Sequence, residues 1–355
     1  MQATSIAGPQ LMVGLVLAII VLIVLVLKTR IHALLALIIA ASISGLVGGM
    51  APDALVKSIT TGFGTTLSTI GLVIGFGVMM GRLLEVSGAA ERMAYSFVRW
   101  LGNKREEWAM MVTGYIVSVP IFCDSAFVIL NPLVRALSRN TGKSMLTLGI
   151  ALAGGLMLTH HAVPPTPGPL GIAGIFNIDV GLMMFWGVVF TLPATFVLVA
   201  YARFMGPRIE AMIAQSGQAP VDPAVAYREV LQRADEREAE LPPLWLSMLP
   251  ILLPILLIFA NTLVGVIAKL DAGSTLPQSL FGQAVAFLGN PVIAVGLGVI
   301  AALYGLVPRR PRDEVIAEME KGVESAGIIL LVTGAGGALG AVLRDSGAGQ
   351  YMGEW

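Results

Sequence analysis

The sequence predicts an all-α polytopic membrane protein built on an inverted repeat with broken or re-entrant helices. Three observations predict this class: an apolar composition, several apolar segments long enough to cross a bilayer, and two related sequence copies. Hydrophobic residues make up 56% of the 355 residues and charged residues 12%, whereas soluble domains carry about 25% charged residues. A water-soluble core could not bury this much apolar sequence, so the lipid bilayer is the expected partner.

The two copies are related by a constant offset of 259 residues. Residues 75–93 read GFGVMMGRLLEVSGAAERM, and residues 334–352 read GAGGALGAVLRDSGAGQYM. The matched positions include three glycine pairs: Gly75 with Gly334, Gly77 with Gly336, and Gly81 with Gly340. Internal repeats in apolar chains are typical of secondary transporters, whose substrate site lies between the halves. More than 100 residues of membrane-type sequence follow the first copy, whereas only three residues, ending at Trp355, follow the second, so we expect a truncated second repeat.

Apolar segments of about 20 residues mark the spans. The candidates are 11–27, 31–50, 58–81, 144–163, 180–202, 244–268, 284–307 and 326–343. The segment 107–139 differs, because it is long enough for two short arms and Pro120 and Asp124 interrupt its middle. Proline removes a helical hydrogen bond, and an acid at membrane depth is costly. We therefore predict a re-entrant hairpin over 107–139.

The Lys and Arg residues of the short loops predict the orientation. With the N-terminus outside and a hairpin that returns to its own side, 19 of the 22 basic residues are cytoplasmic. The segment 58–81 then runs inward and 326–343 runs outward, which defines an inverted repeat. The predicted division is a first repeat over 1–204, a charged cytoplasmic linker over 205–243, and the start of a second repeat over 244–355.

The sequence VPIFCDSAFVILNP, residues 119–132, holds the first candidate site residues. Asp124 is the only acid that we place within the hydrocarbon, where burial disfavours the charge of an isolated carboxyl. We expect it to bind and release a proton near neutral pH, with the Ser125 hydroxyl beside it as a substrate ligand. The alternative is that Asp124 is a structural carboxylate that caps the start of a helix.

A second candidate segment is THHAVPPTPGP, residues 159–169. Its prolines cannot continue a helix, and irregular backbone at membrane depth survives only where protein buries it or it lines a cavity. The backbone around Pro164, Pro165 and Gly168 is thus a candidate substrate contact, together with the Thr159 hydroxyl. His160 and His161 are candidates for proton or anion contact, and their side chains project about 100° apart on a helix. The alternative is a simple loop at the outer surface.

The glycine series of both copies has a plainer explanation. Gly75, Gly77 and Gly81, with Gly334, Gly336 and Gly340, lack the strand–turn–helix context of a dinucleotide site. Small residues spaced by four let helices pack closely in lipid, although they could also line a site with their backbone. The formal net charge of zero excludes a nucleic-acid-binding face, and with no metal, nucleophile or phosphate-loop motif we expect no cofactor, no metal and no enzyme.

Several motifs in order resemble the gluconate permease family of proton symporters. They are GFGVMMGRLLEVSGAAERMA, GNKREEWAMM, VPIFCDSAFVILNPL and LTHHAVPPTPGPLGIAG. The resemblance implies import of gluconate or a related small hydroxy-acid anion with protons, through inverted repeats that often form a homodimer. It aligns Asp124 with the family's acid, and His160 or His161 with the histidine before the double proline. Thr166 opens a TPGP sequence where gluconate-type members often have HPGP, which is closer to the D-serine-type members.

Together these observations predict a multi-pass symporter of a bacterial cytoplasmic (inner) membrane. We expect Asp124, His160 and His161 to carry the proton coupling. The alternatives are a D-serine or other hydroxy-acid permease of the same family, a passive anion channel and a membrane-embedded enzyme.

Overall fold

The computed structural model describes residues 8–101, 105–141, 143–176, 178–215, 241–270 and 276–353. Most of the predicted linker over 205–243 lies outside them. The helices within the described residues are α1 (Gly8–Leu27), α2 (Ala33–Val47), α3 (Pro52–Val86), α4 (Ala89–Leu101), α5 (Glu106–Val117), α6 (Cys123–Thr141), α7 (Met145–Ala162), α8 (Pro167–Phe176), α9 (Val180–Gln215), α10 (Leu244–Leu270), α11 (Leu280–Leu288), α12 (Pro291–Gly305), α13 (Arg312–Asp345) and α14 (Ala348–Gly353). A short 3₁₀ turn, Leu276–Gln278, precedes α11.

The prediction of an all-α polytopic membrane protein is confirmed. Six stretches within the described residues are long and apolar enough to cross a membrane, or seven if the bent pair α11–α12 is counted as one span. One of the six is Met145–Phe176, which joins α7 and α8 across the proline-rich segment. The break at the prolines therefore lies inside an apolar stretch of 32 residues.

Two predicted spans were wrong in detail. The segment 284–307 is not one helix, because α11 and α12 are bent by 68° at residues 289–290. Gly289 ends α11, the Asn290 side chain accepts a hydrogen bond from the Val292 amide at 3.0 Å, and Pro291 opens α12. The segment 31–50 forms only the 15-residue α2, since His32 caps its start and the backbone turns at Gly49 with a φ of 81°.

The repeat is visible in local structure. At the 259-residue offset, Val86 at the end of α3 matches Asp345 at the end of α13. The turns that follow place Gly88 at a φ of 76° and Gly347 at 85°, a region that favours glycine. Ser87 donates to a carbonyl three residues before it at 3.2 Å and accepts from an amide two residues after it at 3.3 Å. Ser346 makes the same two contacts at 3.2 and 3.4 Å.

The chain divides into two compact units, and the boundaries fall within α3, α8 and α13. The first unit comprises residues 1–72, 171–177 and 324–355. In it α1 packs on α2, and Gln10 donates to the Val47 carbonyl at 2.8 Å. The start of α3 runs antiparallel to the end of α13, because Ser58 donates to Asp345 while Thr66 lies against Gly337. Antiparallel packing of two related helices is what an inverted repeat requires.

The second unit comprises residues 73–170 and 178–323. It contains the predicted hairpin as α5 and α6, which contact each other and both contact α7. Helices α5 and α7 approach each other closely, where Gly155 lies against the Met111 carbonyl and Gly114 against the Leu152 carbonyl. The end of α3 and the start of α13 are again antiparallel, as Arg82 donates to Glu318 at 2.7 Å and Gly322 faces the Val78 carbonyl.

Candidate substrate site

The tip of the α5–α6 hairpin rests on α3. Residues 118–122 connect the two arms, and the Pro120 carbonyl oxygen lies so close to Gly81 that a Cβ there would overlap it. Gly81 is therefore a close-approach glycine. Helix packing and backbone lining were both open for this residue on sequence grounds. Its absent side chain lets the hairpin tip touch the helix backbone.

The proline-rich segment lies between α7 and α8. Residues 163–166 are not helical, and the Pro164–Pro165 peptide bond is cis. Both prolines are buried, whereas Gly168 in the first turn of α8 is exposed. The Thr166 hydroxyl donates to the Val163 carbonyl at 2.7 Å and so closes the turn. Irregular backbone is thus held inside the second unit by buried prolines.

The tip, the break and α3 enclose a small cavity of about 20 Å³. That volume accommodates about one water molecule. Its lining includes residues of α3, the tip and the break: Ile74, Gly77, Val78, Val119, Pro120, Ile121, Phe122, His160, Pro165, Thr166 and Pro167. Four sequence-predicted features therefore meet at one place: the glycine series, the hairpin tip, a histidine and the double proline.

His160 supplies the titratable side chain of this cavity. Its ring meets the Phe122 ring edge to face at 5.9 Å between centroids, and its Nδ1 is buried without a hydrogen-bond partner among the described residues. His161 is different, because it is exposed and its Nδ1 lies 2.9 Å from the Met157 carbonyl of its own helix. The structure therefore places His160 at the cavity and His161 away from it.

The remaining predicted ligands do not line this cavity. Asp124 lies exposed in the first turn of α6, one residue inside the helix rather than before it, and Ser125 beside it is half-buried. A carboxylate in a first turn is stabilised by the helix dipole. Thr159 is fully buried and donates to the Tyr115 carbonyl at 2.7 Å. Its hydroxyl hydrogen thus ties α7 to the first arm of the hairpin.

The other predicted glycines do not line this cavity, and they are Gly75 of the first copy and the three glycines of the second copy. At Gly75 a Cβ would meet no atom within 4 Å. The three glycines of the second copy belong to the first unit. There Gly334 packs against the Phe63 ring, Gly336 has open space beside it, and Gly340 lies near Ile175.

An ion-pair cluster at the base of the hairpin was not anticipated from the sequence. Glu106 and Glu107, at the start of α5, are 6% and 4% exposed. Lys143, just after α6, lies 2.6 Å from Glu106 and 2.8 Å from Glu107, and Arg203 of α9 lies 3.4 Å from Glu107. We call these four residues the base cluster. The only sequence signal was that opposite charges flank the segment 107–139.

The base cluster stabilises charges that burial would disfavour. Burial alone would raise the pKa of the Glu107 carboxyl, but hydrogen bonds from Lys143 and Arg203 outweigh it and the pKa is lowered. Burial alone would lower the pKa of the Lys143 amine, but its hydrogen bonds to both glutamates outweigh that effect and the pKa is raised. Both pKa shifts favour the charged forms that make the ion pairs. Through these pairs the two ends of the hairpin are joined to each other and, by Arg203, to α9.

Comparisons with known proteins identify the family of this chain. Residues 10–355 match the profile of the GntP family permeases. The chain belongs to this family. A gluconate permease of Pseudomonas aeruginosa is 31% identical over 97% of this chain and 73% of its own length. The family resemblance inferred from the sequence motifs is thereby confirmed.

Two other relatives of this chain carry different names. An uncharacterized permease of Haemophilus influenzae is 52% identical over 98% of this chain and 70% of its own length. A D-serine transporter of Escherichia coli K12 is 32% identical over 94% of this chain and 71% of its own length. The chain is thus a multi-pass membrane transporter of a family whose members differ in substrate.

Proposed function

We propose that this chain is a proton-coupled symporter that imports gluconate or a related small hydroxy monocarboxylate across a bacterial cytoplasmic membrane. The observation that carries the proposal is the cavity at His160, where a titratable ring meets a hairpin tip and a broken helix. Half-helix starts and irregular backbone offer free N–H groups that favour an anion. The names of the gluconate permease relatives support the substrate class.

In this proposal His160 is the proton or anion contact of the cavity. Asp124 takes part in coupling from the adjacent first turn of α6, and Ser125 offers a hydroxyl to substrate. Thr159 acts indirectly, because its hydrogen bond to the Tyr115 carbonyl positions α7 beside the hairpin. The backbone around Pro164, Pro165 and Gly168 supplies polar groups at the break. Transport proceeds by alternating access, with the N-terminus outside and a homodimer as the expected assembly.

A second candidate is a D-serine permease. The TPGP sequence that begins at Thr166 and the D-serine transporter relative both favour it. The two candidates share a small hydroxylated carboxylate as substrate and differ in the amino group. A passive anion channel and a membrane-embedded enzyme remain the alternatives from other classes, and neither would accumulate substrate unchanged against its gradient.

Uptake of labelled gluconate into proteoliposomes, with and without an inward proton gradient, tests the proposal. Unlabelled glycerate and D-serine serve as competitors. Accumulation that requires the gradient is the expected result, and the strongest competitor identifies the substrate branch. Equilibration without accumulation would favour the channel, and chemical conversion of the label would favour the enzyme.

A further inference from the structure

An ion pair joins α3 to α13 one helical turn beyond the cavity at His160. Val78 of α3 lines that cavity, and Gly322 of α13 lies against the Val78 carbonyl. Four residues further along α3, the Arg82 Nε donates to the Glu318 carboxylate at 2.7 Å. Residue numbers rise by four on α3 while they fall by four on α13, as two antiparallel helices require. The ion pair therefore lies about 6 Å beyond Val78 along the axis of α3.

A further contact follows at the end of α3. The guanidinium of Arg310, in the turn between α12 and α13, donates to the Val86 carbonyl at 2.8 Å. Val78, Arg82 and Val86 are spaced by four residues and so lie on one face of α3. By the predicted orientation this end of α3 faces the cytoplasm. The contacts of Arg82 and Arg310 thus stand between the cavity and the cytoplasmic end of the helix.

Each member of the ion pair also has an oppositely charged neighbour on its own helix. Arg82 lies 2.7 Å from Glu85, and Glu318 lies 2.6 Å from Lys321, each three residues away. If α3 and α13 separate at this point, both charges keep a counter-charge. The cost that normally opposes the breaking of an ion pair, a charge left without a partner, is therefore avoided.

The ion pair is also open to solvent, unlike the glutamates of the base cluster. The side chains of Arg82 and Glu318 are 30% and 19% exposed. Partly exposed ion pairs contribute little net stability, because water solvates the separated charges. The contact between α3 and α13 can therefore break and re-form, whereas the buried glutamates of the base cluster cannot lose their cations without a large cost.

Packing of the two related helices does not by itself require this ion pair. At the 259-residue offset Arg82 matches Ala341, and Glu318 matches Ile59, neither of which is charged. In the first unit α3 and α13 pack through small residues instead, and Gly62 lies against the Ala341 side chain. The ion pair is thus a feature of one copy, added to a packing arrangement that the other copy makes without charges.

We propose that the Arg82–Glu318 ion pair is a cytoplasmic gate of the cavity at His160. It is closed in this structure, and it opens when α13 moves away from α3 while each charge keeps the partner on its own helix. Alternating access exposes a site to each side of the membrane in turn, so this contact must break before substrate leaves to the cytoplasm. The role of the cavity rests on the proposed function, whereas the gate rests on the contacts of the two helices.

Accessibility of a thiol in the cavity tests the gate. Val78→Cys places a thiol in the lining, and peptide mass spectrometry reads it separately from native Cys123. A charged, membrane-impermeant methanethiosulfonate reagent reaches the cytoplasmic side in inside-out vesicles and the outer side in right-side-out vesicles. Lys321→Met is the matched control, because it removes a partner of Glu318 within α13 and leaves the contact with α3. Leu152→Cys, at a position 0% exposed in α7, reports unfolding.

Arg82→Gln and Glu318→Gln should each speed modification of Val78→Cys from the cytoplasmic side. The expected increase is about fivefold, the population shift that follows loss of a partly exposed ion pair. The double variant should match the single variants, because each single change already removes the same contact. Lys321→Met should leave the rate unchanged.

Unchanged rates in both single variants would overturn the gate, as would additive effects in the double variant or an equal rise with Lys321→Met. A rise of the same size from the outer side would indicate general loosening and would overturn it as well. Modification of Leu152→Cys in the Arg82 and Glu318 variants would show that the ion pair maintains the fold, which also contradicts a gate.

The outcome is separable from that of the transport proposal, because the thiol reagent needs no substrate. Faster modification in variants of a chain that fails to accumulate gluconate would support the gate and contradict symport. Gradient-driven uptake with unchanged modification rates would overturn the gate and leave symport standing.

Discussion

Loss of the lysine in the base cluster should destabilise the chain measurably. Lys143→Met leaves Glu106 and Glu107, 6% and 4% exposed, without their nearest cation. Breaking a buried ion pair costs about 3–5 kcal/mol. The Lys143 side chain is 27% exposed and Arg203 stays 3.4 Å from Glu107, so solvent and the second cation reduce the loss. We expect the free energy of unfolding to fall by about 2 kcal/mol, between the values for buried and exposed pairs.

The assay is chemical denaturation of the purified chain in detergent micelles, followed by tryptophan fluorescence. Trp108 lies next to Glu107 and packs edge to face on Phe196 at 4.9 Å, so it is one of the five tryptophans whose emission should change on unfolding. Lys321→Met is the matched control, because Lys321 pairs with Glu318 at 2.6 Å but its side chain is 58% exposed. That exposed pair is worth about 0.5 kcal/mol. Lys143→Arg should lose less than Lys143→Met.

The pH dependence of the difference has a definite sign. The lowered pKa of Glu107 contributes stability above its ordinary value of 4.5, and that stability is lost as pH falls through the lowered pKa. The raised pKa of Lys143 contributes stability below its ordinary value of 10.5, lost as pH rises through the raised pKa. The difference between Lys143→Met and the unchanged chain should therefore be full between these values and shrink in acid. A loss no larger than that of Lys321→Met at pH 7, or one unchanged in acid, would refute the reasoning.

Three further predictions concern the cavity at His160 and the hairpin beside it. Gly81→Ala should displace the hairpin tip, because its Cβ would overlap the Pro120 carbonyl oxygen. It should lower the free energy of unfolding by about 1–3 kcal/mol and remove most uptake activity. Gly75→Ala is the control, because no atom lies within 4 Å of the added Cβ, and it should behave as the unchanged chain in both assays. His160→Gln should abolish the dependence of gluconate uptake on the proton gradient, whereas His161→Gln should preserve it; equal effects of the two would remove His160 from its assigned role. Asp124→Asn should abolish proton-driven accumulation while the chain still reaches the membrane, and unchanged accumulation would remove Asp124 from the mechanism.

Much of the architecture was predictable because it depends on patterns within single segments. Apolar length predicted most spans. The 259-residue repeat predicted that α3 and α13 are related, and the Lys and Arg residues of the loops predicted that they run in opposite directions. Pro120 and Asp124 predicted two arms, which the structure contains as α5 and α6. The side of the membrane to which the hairpin returns stays a prediction.

The features that sequence reasoning missed depend on local breaks or on distant contacts. The bend at Asn290 comes from a turn-forming Asn–Pro pair. The sequence analysis missed it because the high hydropathy of residues 284–307 favoured a single span. The base cluster needs Glu107 and Lys143 to meet in space, and a charged residue at a helix end is usually solvated. Thr159 was expected to face substrate, but its partner, the Tyr115 carbonyl, could be identified only from the packing of α5 on α7. Which of His160 and His161 faces the cavity depends likewise on helix rotation.

Proton movement driven by substrate tests the central proposal most directly. Proteoliposomes holding the purified chain and a pH-sensitive dye receive gluconate outside, with no imposed proton gradient and with the membrane potential clamped by potassium and valinomycin. A symporter should acidify the lumen when gluconate is added, and should not when sorbitol is added. Entry of labelled gluconate with no change in lumen pH would contradict proton coupling.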